Sequence, residues 1–527
     1  MRLLTCLPRT FLFALLSFQA CLVSANELTV GLAAPITSLD PHYHNLTPNI
    51  SIAKQVFEPL FLTDQHQNIK PGLAESWRNI DPLTYEIKLR KGVKWHDGSP
   101  FVAEDVLASF KRIPNVPNSP ASFALYVRQI TEATAPDAHT LILKTAKPYT
   151  GLIRDLNSAQ IVPKAIAESA KTEDFNSGKA MIGTGPYKFV EYKPGDRVVF
   201  ARNDDYWGGK GDWTTVQMRM IANNAARVAA LLAGDLQMIE NVPTPDVKRL
   251  STNKDLAIAQ AVSNRIIYLH MDSNRTKNSP FVRTADGKPM EEANPLTDLR
   301  VRRAISKAMN RDVIVERIME TVAVPAGQLM AEQFFGTSKN LPVEKYDPEG
   351  AKKLLAEAGY PNGFQLTLHS PNNRYINDEK IAQAVVQFLT RVGIVTKLET
   401  MPSNIFFSRG SKLEFSIMLA GWASESGDTS SPLRSLLGTY DASTGNGAAN
   451  RGRFSSAELD ALTTAAMLEV DEEKRRAKLA LASEKAIELM GIVPLHYEVS
   501  VWATKANLTY AARADQYTLA HEVKIKK

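Results

Sequence analysis

Cysteine is almost missing from this chain. Its two cysteines, Cys6 and Cys21, both fall within the first 25 residues. The remainder has no thiol, which excludes disulfides, thiolate metal sites and a cysteine nucleophile there. Gly-x-Ser-x-Gly and His-Glu-x-x-His are absent, as is a Gly-rich loop with Lys that would cradle phosphate. Long apolar runs are lacking too. Charges interrupt every such stretch after the first 25 residues, so no membrane span is expected. Charge of one sign is not in excess. Lys and Arg number 62 against 56 Asp and Glu, the net charge is +6, and Arg2 and Arg9 supply two of it. The basic residues are scattered among acids rather than striped, which argues against nucleic acid as a partner. An extracellular peptidase or esterase stays open as an alternative, because convergent triads need no local pattern.

What is present begins with a leader. Met1–Thr10 carries Arg2 and Arg9 and no acid, Phe11–Phe18 is almost wholly apolar, and Val23-Ser24-Ala25 offers small residues for cleavage. This is the three-part layout of a secretory signal peptide over 1–25, with the mature chain starting near Asn26 and acting outside the cytoplasm. Lipidation of Cys21 is the rival reading, and Phe18 stands where that pattern usually has Leu. A chain of 527 residues is too long for one core, and no flexible linker separates beads on a string. Interleaved domains are expected, with several crossings between them.

The stretch 346–422 reads in detail. Asp347 is a good N-cap with Pro348 at the first helical position, and Gly359 with Pro361 stops that helix. Phe364, Leu366 and Leu368 alternate as a strand. Ile381, Ala384, Val385, Phe388, Leu389 and Val392 mark one face of a long helix, Gly393 ends it, and 394–398 is again strand-like. Strand, helix and strand of these lengths predict parallel pairing with a right-handed crossover. Phe415–Ala420 reads as a buried strand of the same sheet, and Ser431-Pro432 as the N-cap and first turn of another helix. Ligands of open α/β sheets sit beyond the carboxyl ends of the strands. Two loops leave such ends: 369–377 with Arg374, and 421–430 with Glu425 and Asp428. One carries a cation and the other anions, as a zwitterion would require. Elsewhere Val301 to Met309 form a helical stripe, Asn310 caps the next helix, and His96-Asp97-Gly98 makes a turn. The latter looks like an acid–base pair in isolation, and His42 and His44 like metal ligands by spacing. A satisfied turn and a solvated loop are the plainer readings, and no metal or cofactor is expected.

Four ordered blocks carry a resemblance. They are Pro71-Gly72-Leu73-Ala74-Glu75-Ser76-Trp77 with Tyr85 to Gly98; Gly183-Thr184-Gly185-Pro186-Tyr187 with Asn203 to Trp207; Asp298 to Ile305 with Asn310-Arg311; and Tyr346-Asp347-Pro348 with Ala358-Gly359-Tyr360. Together they resemble the family 5 extracellular solute-binding proteins, the dipeptide, oligopeptide and nickel group. The resemblance implies an α/β, two-lobed periplasmic binding protein fold of cluster C type with an extra subdomain in the N-terminal lobe. Carried onto this chain, lobe I takes 26–66, 178–272 and 494–527, the extra subdomain 67–177, and lobe II 273–493. The implied role is the binding component of an ABC importer in the periplasm, not an enzyme, acting as a monomer that closes on a short peptide and docks on membrane permease subunits. Glutathione, an opine, haem, a nickel chelate or a sugar are the alternative ligands. By the same resemblance an acid in the loop after the Gly421-Trp422 strand holds the ligand ammonium, Glu425 first and Asp428 as its rival, and Arg374 holds the carboxylate. Trp422 is a cleft wall or a core tryptophan, Asn372 a polar contact or a turn former, and Tyr187 lies near the cleft.

Overall fold

The computed structural model describes residues 26–120, 122–442 and 444–526. The leader expectation, with Cys6 and Cys21, lies outside the described residues. No described helix is long and apolar enough to cross a membrane.

Alternation and continuous apolar runs in the sequence become one large mixed sheet that runs through both lobes. Its strand order is Ile394–Met401, Phe364–Pro371, Ile417–Ala423, Leu256–Met271, Ile492–Lys505, Met238–Ile239, Glu27–Leu32, Thr215–Met220, Arg197–Arg202 and Tyr187–Lys193. Two antiparallel strands hold the halves together, Leu256–Met271 with 16 residues and Ile492–Lys505 with 14. One end of this pair joins Met238–Ile239, and the other joins Ile417–Ala423. Their register breaks between Val262 and Ile266, so Ser263, Asn264 and Arg265 form an irregularity midway along the strand. Bulged segments bend and twist a strand, and here the bend falls where the sheet passes from one lobe to the other.

Each lobe has its own core. One is built on Leu28, Val30, Phe57, Phe200, Trp213 and Trp502, the other on Ile267, Leu366, Leu368, Ile381, Phe388 and Leu389. The extra subdomain is a four-stranded antiparallel sheet, ordered Ala74–Asp81, Thr84–Leu89, Thr140–Thr145, Ile130–Asp137. Helix Ala103–Arg112 packs Val106 and Phe110 into its core beside Tyr85 and Ile87.

The 346–422 reading holds. Asp347 accepts from the Gly350 N–H at 2.8 Å and caps helix Pro348–Glu357. Gly359 adopts φ +94°, a left-handed turn that a side chain would strain. Phe364–Pro371 and Ile394–Met401 pair in parallel around helix Asp378–Arg391, and Ile417–Ala423 adds in parallel beyond. The Ser431-Pro432 expectation is off by two residues. The helical turn starts at Ser430, after Thr429, and widens into a π-turn over Leu433–Leu437. The physical reason is local. Asp428 Oδ1 accepts the Ser430 N–H at 3.1 Å and so performs the capping, while the Thr429 hydroxyl donates to the Gly336 carbonyl.

The sequence blocks prove to be packing devices. His96 donates its N–H to the Gly183 carbonyl at 2.9 Å, and its ring Nε2 meets the Gly185 carbonyl at 3.0 Å. Burial holds its pKa down at about 4, so the ring is neutral. Asp97 turns away and accepts from the Ser99 N–H, so these neighbours form a turn and not an acid–base pair. His42 is fully buried rather than solvated: Arg112 donates to its Nδ1 at 2.8 Å, and its Nε2 meets the Gln160 carbonyl at 2.7 Å. His44 instead meets the Thr37 hydroxyl at 2.8 Å.

Glu58 ties the second block to lobe I. Its carboxylate accepts from the Thr184 hydroxyl at 2.8 Å, the Tyr206 hydroxyl at 2.8 Å and the Trp207 indole at 2.9 Å. Burial nevertheless pushes its pKa up to about 7. The folded chain therefore holds this proton where the unfolded chain has lost it, and stability from this group declines as pH rises from about 4.5 to about 7. Glu58→Gln removes that slope. The difference in unfolding free energy between the variant and the natural chain is expected to change by up to about 1.4 kcal/mol per pH unit in this window, in the variant's favour as pH rises, measured by urea titration. A difference that stays constant across the window would refute the assignment.

Candidate functional site: the interlobe cleft

Parallel pairing of Phe364–Pro371 with its neighbour Ile417–Ala423 sends the following loops out at one sheet edge. Tyr375 links them by donating its hydroxyl to the Gly421 carbonyl at 3.1 Å. Arg374 and Glu425 lie in these two loops, and both feel Arg265.

Arg374 is half-buried. Its backbone N–H donates to Asp378 Oδ2 at 2.9 Å, and its guanidinium lies over the Tyr375 ring, 5.3 Å from the centroid. No carboxylate of the described residues reaches it within ion-pair distance. Burial and then the neighbouring Arg265 push its pKa down. Arg265 itself is committed: its Nε pairs with Glu498 at 3.2 Å, and its Nη2 donates to Gln516 at 2.8 Å. From lobe I, His44 feels the Arg374 charge after burial, and both lower its pKa. Glu498 and Asp378 act on Arg374 only at a distance, so its guanidinium keeps its donors for a carboxylate.

Glu425 lies in the loop after Ile417–Ala423. The hydroxyl of Tyr517 donates to its Oε2, and burial raises its pKa. Arg265 and Lys54 act the other way and favour the anion. Lys54 lies 5.3 Å from the centroid of the Tyr517 ring, and burial lowers its pKa to about 8. Tyr126 also feels the Glu425 charge, and its hydroxyl accepts from Asn45 at 3.0 Å.

Two of the expected contacts are corrected. Asp428 is fully buried, and its carboxylate is consumed by Arg475 at 2.6 Å, the Ser430 hydroxyl at 2.6 Å and the Ser426 hydroxyl at 3.1 Å. It has no capacity left for a ligand ammonium. Tyr187 is also fully buried, in the core with Leu28 and Phe200, so its ring cannot line a cleft. Trp422 packs against the Ile266 and Tyr268 cluster and donates its indole N–H to Ser431 at 3.0 Å, leaving only part of its ring exposed. Asn372 is exposed, and its backbone N–H donates to Met401 at 3.1 Å, the behaviour of a turn former. Sequence reasoning missed Arg265, Tyr517, Lys54 and Tyr126. They come from four distant segments with no local motif, and only the tertiary fold gathers them.

Glutathione-binding protein GsiB of Pectobacterium atrosepticum is 29% identical over 429 residues, covering 79% of this chain and 78% of its own. The protein of the same name from Shigella dysenteriae is 27% identical over 503 residues, covering 93% and 92%. Among solved structures, the ABC transporter-associated periplasmic binding protein DppA of Helicobacter pylori, in complex with the peptide STSA, superposes with a TM-score of 0.81 at 24% identity over 95% of this chain and 99% of its own. NikZ from Campylobacter jejuni, in complex with Ni(L-His), gives 0.79 at 22% identity over 94% and 99%. These likenesses establish the two-lobed periplasmic binding fold. The sequence pattern of the bacterial extracellular solute-binding proteins, family 5, matches residues 68–444. With more than half of its length inside that match, the chain belongs to the family 5 bacterial extracellular solute-binding proteins.

Proposed function

We propose that this protein captures a short peptide, or a similar small zwitterion, between its lobes in the periplasm and delivers it to the permease of an ABC importer, without catalysing a reaction on it. The observation that carries the reading is Arg374, a half-buried guanidinium with no acid of the described residues within ion-pair distance, which shares the neighbour Arg265 with Glu425. Glu425 receives the ligand ammonium beside the Tyr517 hydroxyl, and Arg374 receives the carboxylate as a planar two-pronged donor. Backbone groups of the ligand and bridging water accommodate the rest. The GsiB relatives carry glutathione in their names, and DppA was solved with a tetrapeptide. Both ligands have an ammonium and at least one carboxylate, so the same pair of charges suits either.

The test uses ligand end groups. Calorimetric titration with free Ser-Thr-Ser-Ala and with reduced glutathione is compared with their N-acetylated and C-amidated forms. Blocking either end is expected to weaken binding at least tenfold. Equal affinity for free and blocked ligands would overturn the reading. Intact ligand after prolonged incubation, followed by mass spectrometry, separates a binding protein from a peptidase.

A further inference from the structure

The loop that carries Glu425 follows a strand of the lobe II half of the sheet, yet its backbone is gripped from outside that lobe. The Gln67 amide donates to the Ser424 carbonyl at 3.3 Å and to the Glu425 carbonyl at 3.4 Å. Asn157 Nδ2 donates to the same Glu425 carbonyl at 3.5 Å. Arg154 Nη1 donates to the Ser426 carbonyl at 3.3 Å, and its Nε lies 4.0 Å from Asp428 Oδ2. Three consecutive carbonyls of one loop thus meet three side chains of the extra subdomain and its entry. Gly427 packs directly on Gln67, where an added Cβ would come to 3.0 Å of the Gln67 Cβ. Gln67 holds a left-handed φ of +63° to make this contact, a conformation costly for an ordinary residue. Nearby, Arg434 of lobe II donates to the Tyr149 hydroxyl at 2.9 Å, which extends the same contact along the subdomain.

We propose that Gln67, Asn157 and Arg154 form a clasp that holds the lobes closed and sets the position of Glu425, so that the ammonium acceptor is in place only when the subdomain has engaged its loop. None of the three needs to touch the ligand; they are positioning residues. Each bond is made to a backbone carbonyl, so the clasp orients the loop whatever the ligand's side chains are. A single hydrogen bond contributes modestly, and four acting on one loop bias an equilibrium between open and closed forms that a ligand then completes. The positioning role rests on the reading of Glu425 as the ammonium acceptor. The closing role does not.

The experiment separates the two. Val190 and Ile405 are exposed on opposite lobes, and the mature chain lacks other thiols, so Val190→Cys with Ile405→Cys accepts a pair of distance labels. Interlobe distances are read in ligand-free full-length mature protein, carrying either no further change, Gln67→Asn or Arg154→Met. Asn tolerates the left-handed backbone while falling short of the loop, and Met keeps the apolar stem of Arg154. The unaltered protein is expected to show a closed population that drops at least fivefold in each variant, with the thermal unfolding midpoint of Gln67→Asn little changed. A closed population that is absent from the unaltered protein, or the same in both variants, overturns the clasp. Titration with Ser-Thr-Ser-Ala and its N-acetylated form then reads positioning: the preference for the free ammonium is expected to shrink at least threefold in the variants, and an unshrunk preference refutes the positioning role. If the unaltered protein shows no such preference, the Glu425 assignment fails, while the distance result still decides the clasp.

Discussion

Arg374→Ala is expected to weaken the binding of free Ser-Thr-Ser-Ala by tenfold or more without unfolding the protein, and Glu425→Gln to do the same. Removing one member of a desolvated ion pair costs about 2–5 kcal/mol, because the partner charge is left buried and unpaired. For Arg374 the unpaired partner is the ligand carboxylate, left beside an Arg265 already engaged by Glu498 and Gln516. The loss is expected in the dissociation rate. Arg374→Lys is a sharper probe, since it keeps the charge and loses the planar fork, and its affinity is expected to lie between those of Ala and Arg. Glu425 adds a pH signature. Burial raises its pKa above the ordinary 4.5, and the ligand ammonium prefers its ionised form. Affinity is therefore highest above that raised value and falls on acidification through it, whereas Glu425→Gln flattens the acid limb. Full affinity in both Arg374→Ala and Glu425→Gln, by calorimetry at pH 7, would remove the peptide reading and leave the fold and family untouched.

Much of the fold was legible because local and global signals agree. Asp347, Pro348 and Gly359 are caps whose chemistry acts within a few residues, and the 3.6-residue stripe of Ile381 to Leu389 faces one core. That loops 369–377 and 421–430 leave the same sheet edge followed from strand direction, which the helical crossover between Phe364–Pro371 and Ile394–Met401 dictates. The rest depended on which partner each side chain finds. Asp428 and Glu425 lie three residues apart in one polar loop, and the sequence alone gives both the same chemistry. Arg475, on helix Glu472–Glu488, takes the first out of play, and Tyr517, from the last segment of the chain, donates to the second. Tyr187 sits in a block that looks functional, but the same block serves Glu58 and the core around Phe200. Short-range patterns report caps and faces; pairings between residues that are tens to hundreds of positions apart leave no such mark.

Arg475→Ala is expected to be among the most destabilising single changes outside the apolar cores, at about 3–5 kcal/mol, the usual cost of orphaning one member of a buried ion pair. The side chains of Arg475 and Asp428 are 5% and 1% exposed and meet at 2.6 Å. Burial by itself works to raise the Asp428 pKa, but Arg475 and Arg154 overcome it and hold the carboxyl below its ordinary value. That direction fixes the pH window. A depressed acid stabilises the folded chain fully above its unfolded value near 3.8, and the contribution fades as pH falls through the folded value. The penalty of Arg475→Ala should therefore shrink as pH falls, starting at the raised value that burial gives Asp428 once Arg475 is gone and ending at the depressed value of the natural chain, as Asp428 takes up a proton and ceases to need its partner. Arg154 is 4.0 Å from the same oxygen and cannot substitute at that distance with a hydrogen bond. Asp428→Asn with Arg475→Met discriminates a structural pair from a ligand contact: removing both charges together is expected to recover at least half of the lost stability, because no unpaired charge remains buried, and to leave the preference for a free ligand ammonium intact. If Arg475→Ala unfolds in urea with the same midpoint as the natural chain, or if the double variant loses the ammonium preference, then Asp428 serves the ligand and the assignment to Glu425 is wrong.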